Sequence, residues 1–399
     1  MSNIFRSFIG LCGFLFSLIS LASPNIIVGA SHDGTESPLI VKRTNEWQAQ
    51  SNPSLDNFKG YSLYDIDCSD KICVASAFSA ELQDNPLHLI QSLDGGETWT
   101  PIALPGGASY QAVSKVSCDG DVCVVLNGPN GEHVLQTLNA GKSWHVYQPI
   151  DTIPGASLAT LDCIESYCVS ASYDNSGHFL FHTFDAGATW EPVHIADLDT
   201  YYMITDTACS ANMCAAVGVR LDPVTQKISS IILQSNADKS EWTVAPFVGN
   251  HHFKQLLSLT CSDDSCLAYG IDPSAKTVFA NMKNGIWAYE DSSAMERTEG
   301  MLADVSCNAQ FCVAVGQSKK DDASSIVFSN MTGEWHEAAL VPGIKLKNVR
   351  CDDTLCFATG QDRSAKPVLL ESLGQAAWSL VEVNNLPHTA HYELSTSGY

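Results

Sequence analysis

Fourteen of the 15 cysteines stand in seven pairs at one spacing, Cys-x4-Cys: Cys68/Cys73, Cys118/Cys123, Cys163/Cys168, Cys209/Cys214, Cys261/Cys266, Cys307/Cys312 and Cys351/Cys356. Thiols at this spacing can do two kinds of chemistry. Facing each other across a tight hairpin, they close a cross-strand disulfide. Ionised, they bind a soft metal, but four thiolates would require two pairs to converge, and no histidine recurs beside them at ligand spacing. The even count, once the fifteenth cysteine is accounted for, favours disulfides in an oxidising compartment. Each would pin one hairpin, with an entropic gain limited by the small loop.

Carboxylates are the second store of chemistry. The chain has 44 Asp+Glu against 21 Lys+Arg, a net charge of −23. A field of that sign repels nucleic acid and anionic lipid headgroups, suits a basic partner or a cation, and keeps the chain soluble. With 45% hydrophobic and 16% charged residues the composition is globular. Gly-x-Ser-x-Gly, the P-loop, the dinucleotide fingerprint and the zinc-protease helix are all missing from the sequence. The 12 histidines show no convincing ligand spacing, and His251-His252 reads as a surface pair. No catalytic residue, cofactor or metal is therefore assigned.

The fifteenth cysteine, Cys12, lies in an apolar run from Phe8 to Leu21, behind Arg6 and ahead of Ala22 and Ser23. This reads as a secretory signal peptide, residues 1–22, too short and wrongly flanked for a membrane span. Leu11 before Cys12 disfavours a lipoprotein site. The expected destination is the periplasm or the medium, and residues 23–399 form the mature domain.

What positions these groups is a repeat. The first cysteines of successive pairs lie 44 to 52 residues apart, and each second cysteine is followed after 21 to 28 residues by Trp99, Trp144, Trp190, Trp242, Trp287, Trp335 or Trp378. Each unit reads as four short strands. Strand a ends at the first Cys; strand b starts at the second and runs, as in CVAVG (312–316), CLAYG (266–270), CAAVG (214–218) and CFATG (356–360), into a Gly or polar turn; strand c is a second apolar stretch; strand d carries the Trp. That is the arithmetic of a β-propeller blade. An eighth Trp, Trp47, stands 22 residues after Asn25, as Trp378 stands 22 after Cys356. The mature chain thus begins with strands b, c and d, and the missing strand a should come from near His391–Ser395. The expected fold is all-β: an eight-bladed β-propeller of four-stranded antiparallel blades, closed by a C-terminal strand in the first blade. A seven-bladed ring is the alternative.

Three consecutive c–d turns carry Ser92-Leu-Asp94-Gly-Gly96-Glu-Thr98-Trp99, Thr137-Leu-Asn139-Ala-Gly141-Lys-Ser143-Trp144 and Thr183-Phe-Asp185-Ala-Gly187-Ala-Thr189-Trp190. This resembles the Asp-box, or BNR repeat, of sialidase-like propellers. The other five copies keep mainly the Trp. The motif is structural: the Asp or Asn caps its own turn and the Gly permits positive φ. The sialidase chemistry that the resemblance suggests needs three arginines, a Tyr nucleophile and an acid. After the signal peptide only Arg43, Arg220, Arg297, Arg350 and Arg363 remain, none in an Arg-Ile-Pro context. Over residues 25–395 the chain is more similar to non-catalytic, exported propellers of the photosystem-assembly-factor type, which implies a binding or assembly role.

Antiparallel blades put the Cys hairpins and c–d turns on one face, and the b–c loops and d–a crossovers on the other. The first face is repetitive, so binding is expected on the second. There the loops carry Glu81, Asp84, Asp174, Asp222, Asp272, Asp321, Asp322 and Asp362, and the crossovers Phe58, Tyr61, Tyr110, Tyr201, Tyr202 and Phe253. Asp84, Asp174, Asp222, Asp272, Tyr110, Tyr201 and Tyr202 are the candidate binding residues. They suit a protein or glycan partner of a monomeric, non-enzymatic platform. The alternative is a secreted glycoside hydrolase using a carboxylate pair on the same face.

Overall fold

The fold was analysed in a computed structural model. It describes residues 26–32, 36–58, 60–69, 71–78, 88–103, 115–127, 133–148, 157–174, 177–195, 201–222, 224–225, 228–248, 253–262, 265–274, 276–290, 301–308, 310–318, 324–331, 334–351, 354–364, 366–373, 377–385 and 391–396. The signal segment lies outside the described residues.

Eight sheets form the ring, seven of four strands and one of five. Blade 2 shows the pattern: strand a Ser62–Ser69, b Ile72–Phe78, c His88–Ser92 and d Thr100–Pro101, in antiparallel order. Blade 1 is offset as the spacing predicts. Its strands b, c and d are Ile26–His32, Glu36–Arg43 and Trp47–Ala49, and its strand a is the C-terminal His391–Thr396, paired antiparallel to strand b. The eight-bladed expectation holds and the seven-bladed alternative falls.

Neither face of a blade can be left in water, so the core lies between blades. Along strand b of blade 2, Cys73 and Ala75 pack towards blade 1, whereas Val74 packs towards blade 3. The tryptophans point back to the preceding blade. Trp99 sits with Ile26, Val28 and Ile40 of blade 1. Trp47 meets Phe357 of blade 8 at 5.0 Å, and Trp335 stacks on Phe279 of blade 6 at 4.4 Å. Buried indole N–H groups need acceptors, and strand c of the preceding blade supplies several. Trp144 donates to Gln91, Trp287 to Gln234 and Trp47 to Glu371, each at 3.0 Å. Glu371 also accepts from Arg43 Nε at 3.1 Å, which ties the last blade to the first beside the strand closure.

All seven cysteine pairs are disulfides: Cys68–Cys73, Cys118–Cys123, Cys163–Cys168, Cys209–Cys214, Cys261–Cys266, Cys307–Cys312 and Cys351–Cys356, with Cα–Cα separations of 4.0–4.1 Å. In each, the two residues stand directly opposite in the a–b ladder. On the same face the c–d turns close on themselves. Asp94 Oδ1 accepts from the N–H of Glu97 and Thr98 while Ser92 Oγ accepts from Gly96 N; Asp185 and Thr183 repeat this with Thr189 and Gly187. In blade 3 Asn139 and Thr137 take these places. Each turn then bonds the a–b hairpin of its own blade: Gly95 N to Lys71 O, Ala140 N to Asp121 O, and Ala186 N to Ser166 O.

Two readings need correction. The first concerns where strand b starts. It begins at the second cysteine only at Cys214 and Cys312. Elsewhere it begins one residue earlier, at Ile72 before Cys73, Val122 before Cys123, Tyr167 before Cys168, Ser265 before Cys266 and Leu355 before Cys356. The ladder continues past the disulfide towards the hairpin tip, as Asp119 pairing with Val122 and Ser262 with Ser265 show. The staples of blades 2, 3, 4 and 6 therefore lie inside the sheet, whereas the a–b ladder of blade 8 ends at Cys351–Cys356. Cys123 and Cys168 are fully buried and Cys266 nearly so, whereas Cys312 is only half-buried.

The second concerns a glycine. The Gly of CAAVG (214–218), CLAYG (266–270) and CFATG (356–360) does not open a turn. Strand b runs through it, as in Cys214–Leu221. Strand a bulges opposite, between Ile204 and Asp206, Leu256 and Ser258, and Leu346 and Asn348. The bulge pushes a carbonyl onto the glycine, so a Cβ on Gly218 would stand 1.9 Å from Met203 O. The glycine is there for close approach and not for a turn.

Candidate functional site

Two places were compared as sites: the central channel, walled by the strands a, and the face of b–c loops and d–a crossovers. The cysteines form neither. Cys123, Cys168, Cys266 and Cys312, like the other ten of the seven pairs, are each consumed in a disulfide within one blade, so none offers a thiolate to a metal or a substrate.

In blades 2, 5 and 7 a bulge in strand a aims the residue three before the first Cys into the channel, blade 3 places Lys115 there with a regular ladder, and the period of two adds the residue just before the Cys. The first series includes Asp65, Lys115, Asp206 and Asp304; the second includes Asp67, Ser117, Asp162 and Ser306. Inner strands of neighbouring blades are not paired with each other, so their inward N–H groups need acceptors. These side chains supply them. Asp67 Oδ2 accepts from Cys118 N at 2.6 Å, Ser117 Oγ from Cys163 N at 3.0 Å, and Asp162 Oδ2 from Cys209 N at 2.7 Å. Asp65 takes Val116 N, Asp206 takes Leu259 N, Asp304 takes Val349 N and Ser306 takes Cys351 N.

A cavity of about 240 Å³ remains here, lined by Asp65, Lys115, Asp162, Asp206, Ser258 and Asp304 among others. Burial raises every one of these carboxyls: Asp67 to about 8, Asp304 to about 6, Asp162 well above the ordinary range, and Asp65 and Asp206 above it. Lys115 opposes this at Asp65 and Asp206, and Arg350 opposes it at Asp67 and Asp304. Asp162 Oδ1 has no hydrogen-bond partner among the described residues. Among the described residues no group of three or more His, Cys, Asp or Glu is arranged to hold a metal ion. The channel carboxyls are thus braces between blades. Their sequence signal was present as D-I-D-C (65–68), L-D-C (161–163) and A-D-V-S-C (303–307), an acid repeatedly one or three places before the cysteine.

On the loop face the acidic candidates do not converge. Asp222 Oδ1 accepts from Val224 N and Thr225 N, both at 2.8 Å. Asp272 Oδ1 accepts from Ser274 N and Lys276 N, and Asp362 Oδ1 from Ser364 N and Lys366 N. Each therefore caps its own b–c turn on a separate blade. Asp174 ends strand b of blade 4, Tyr167–Asp174, and Tyr201 begins strand a of blade 5, Tyr201–Cys209. Tyr202 follows it, half-buried between blades 4 and 5, where burial raises its phenol. Asp84 and Tyr110 lie outside the described residues, as do Glu81, Asp321, Asp322, His251 and His252. Phe58 and Tyr61 are not exposed recognition aromatics. They are buried, edge-on to each other and to His88 at 4.9–5.7 Å.

What sequence reasoning missed on this face is an apolar area at blades 5 and 6. A cavity of about 260 Å³ lies there, lined by Arg220, Ser230, Ile232, Phe247 and Phe253 among others. Ile228 next to the lining residue Ser229, Val248 next to Phe247, and Val224 on the same blade's b–c turn are 65%, 62% and 88% exposed. The stapled face also exposes apolar side chains, but singly, at the turns of different blades: Leu93, Leu138, Phe184, Ile286 and Leu373.

No protein-family model and no curated protein matches the chain. Solved structures match in fold. The β-propeller domain of the Trilobed protease from Pyrococcus furiosus, described as having an open velcro topology, is 8% identical; the match covers 82% of this chain and 100% of that one, with a TM-score of 0.52. YCF48 from Cyanidioschyzon merolae is 17% identical over 78% of this chain and 95% of that one, with a TM-score of 0.49. A second YCF48 structure, bound to a D1 peptide, is 16% identical over 86% and 96%, with a TM-score of 0.46. At these identities the likeness shows the propeller fold alone.

Proposed function

We propose that this chain is an exported, non-enzymatic propeller that captures a protein partner on its b–c/d–a face. The carrying observation is the distribution of unused surface. Channel carboxyls are engaged by backbone N–H groups, and the stapled face is closed by disulfides and capped turns. Among the described residues, the loop face alone combines an apolar cavity with several exposed aliphatic side chains in one blade pair, the composition expected of a recognition surface. The Asp-box character of the turns and export through residues 1–22 belong to the same reading, supported by the turn hydrogen bonds and by seven cysteine pairs at disulfide geometry.

The test uses mature protein, residues 23–399, immobilised and exposed to extract from the exported fraction of the source cells. Bound proteins are identified by mass spectrometry. A variant changed on the loop face, Val224→Asp with Val248→Asp, should lose the specific partner. One changed on the stapled face, Leu138→Asp with Leu373→Asp, should keep it. The reverse result would end the proposal. A full-length chain whose mature N-terminus is not near Ser23 would end the export reading.

A further inference from the structure

On the proposed binding face several blades end strand d before strand c does, and at blade 5 the uncovered edge adjoins the apolar cavity. Strand c of blade 5, Ile228–Ser235, pairs along its length with strand b. On its outer edge strand d, Trp242–Val244, pairs only with Leu233–Ser235, and Ala245 N adds a bond to Ile232 O at 2.8 Å. The chain then leaves for blade 6, where Phe247–Val248 pairs in parallel with Trp287–Ala288. Blade 7 shows the complete version: its strand c, Ser324–Ser329, is covered from end to end by His336–Pro342.

In an antiparallel ladder the outward-pointing backbone groups alternate. Because Ile232 O faces strand d, the N–H and C=O of Ser230 and Ile228 face the same way, beyond the point where strand d stops. No hydrogen bond reaches them among the described residues. Beside this edge lies the 260 Å³ cavity, with Ile232, Phe247 and Phe253 in its wall. Ser230 Oγ is buried there without a partner among the described residues. Arg220 is the only charged side chain among the described residues that line it, with Nε 3.1 Å from Ser229 Oγ.

We propose that an extended peptide of a partner protein adds a strand to this edge, antiparallel or parallel to Ile228–Ser230, with one apolar side chain in the cavity and a neighbouring carboxylate at Arg220. This rests on the protein-capture reading and locates it. An open edge specifies a polypeptide because only backbone supplies donors and acceptors at strand spacing. The cavity selects an apolar residue, and a lone guanidinium selects an acidic one. Strand addition draws affinity from the ladder and specificity from the pocket.

The probe is a random 12-residue peptide library displayed on phage, selected on mature protein and followed by fluorescence anisotropy with the enriched peptides. Enrichment of sequences with an acidic residue beside alternating apolar ones is expected. N-methylation of alternate amides in such a peptide should weaken binding at least about ten-fold, a test that leaves the protein unaltered. Ser230→Pro removes an outward N–H that holds no native bond, so the ladder with strand b survives; it should weaken binding by a similar factor, and Arg220→Glu should remove the preference for acidic peptides. Four outcomes overturn the proposal: no enrichment, indifference to N-methylation, unchanged binding by a folded Ser230→Pro, or a self-associated chain that Ser230→Pro makes monomeric, which would assign the edge to a second copy. If Ser230→Pro leaves partner capture intact while Val224→Asp with Val248→Asp abolishes it, the edge inference falls and the loop-face reading stands. If neither affects partner capture, that reading falls as well.

Discussion

At the stapled end of the ring the same devices return blade after blade: a Cys pair closing the a–b hairpin, a turn bonded to that hairpin, and a Trp set against the preceding blade. At the loop end the blades differ. Blade 7 carries strand d to the full length of strand c, blades 2 and 4 abandon it after two pairs and blade 5 after three, and blade 6 receives a fifth strand from its neighbour. Repetition marks the end where every blade must solve the same closure problem. Divergence marks the end that closure does not constrain, and there the molecule leaves both apolar surface and backbone uncommitted.

The contrast is broken most severely by removing an inter-blade Trp. Trp99 is fully buried between blades 1 and 2. Trp99→Ala should cost about 3–5 kcal/mol in denaturant unfolding, since it loses the burial and leaves a cavity. A cost below about 1 kcal/mol would mean that the stapled end does not hold the ring. Next come the staples. Replacing Cys68 and Cys73 together by Ser should cost about 2 kcal/mol for so short a loop. Thiol labelling of the denatured mature chain should find no free cysteine among the 14 of the seven pairs; labelled thiols would refute the disulfide framework.

How much of this was legible from the residues follows the same division. Blade count, circular offset and the C-terminal closing strand could be read because Cys and Trp recur at a fixed distance, as Trp47 does from Asn25. Turn capping by Asp94, Asn139 and Asp185 was legible because a short polar side chain closes a turn locally. The pairing of Cys118 with Cys123 was legible too, but the ladder residue beyond it, Val122, was not, because a cysteine marks a crosslink and not a strand end. Gly218 was misread as a turn, because its cause is a carbonyl of another strand, Met203 O, whose bulge has no local signature. The channel aspartates were overlooked although Asp65 and Asp67 stand two apart before Cys68, because an acid inside a strand looks like a solvent-facing one until the ring closes. The blade-5 edge was illegible for the opposite reason: it exists where a strand pairing is lacking, and sequence patterns report pairings.

The channel sharpens the comparison through pH. Folding raises Asp67 to about 8 and Asp304 to about 6, chiefly by burial, above the ordinary value near ~3.9. The folded state therefore binds protons more readily than the unfolded one. This contribution is full below the unfolded value and is lost as pH rises through about 6 and then about 8. The melting temperature should fall from about pH 5 to about pH 8.5, with each such group contributing at most on the order of 1 kcal/mol per pH unit. Asp162→Asn keeps the one acceptor in use, towards Cys209 N, and should flatten that slope. A slope of the opposite sign, or one untouched by the variant, would refute the account.

The smallest effect is expected at the loop end, and the smallness is the point. Val224 is 88% exposed and its backbone N–H is held by Asp222. Val224→Ser leaves that backbone bond in place and removes only solvated methyl groups. It should shift stability by no more than about 0.5 kcal/mol in the same denaturant assay. If the loop end is held as tightly as the stapled end, the cost will approach that of a core change, and Val224 would be part of the packing. If stability stays put while partner capture weakens, the exposed side chain is being used by something other than the fold.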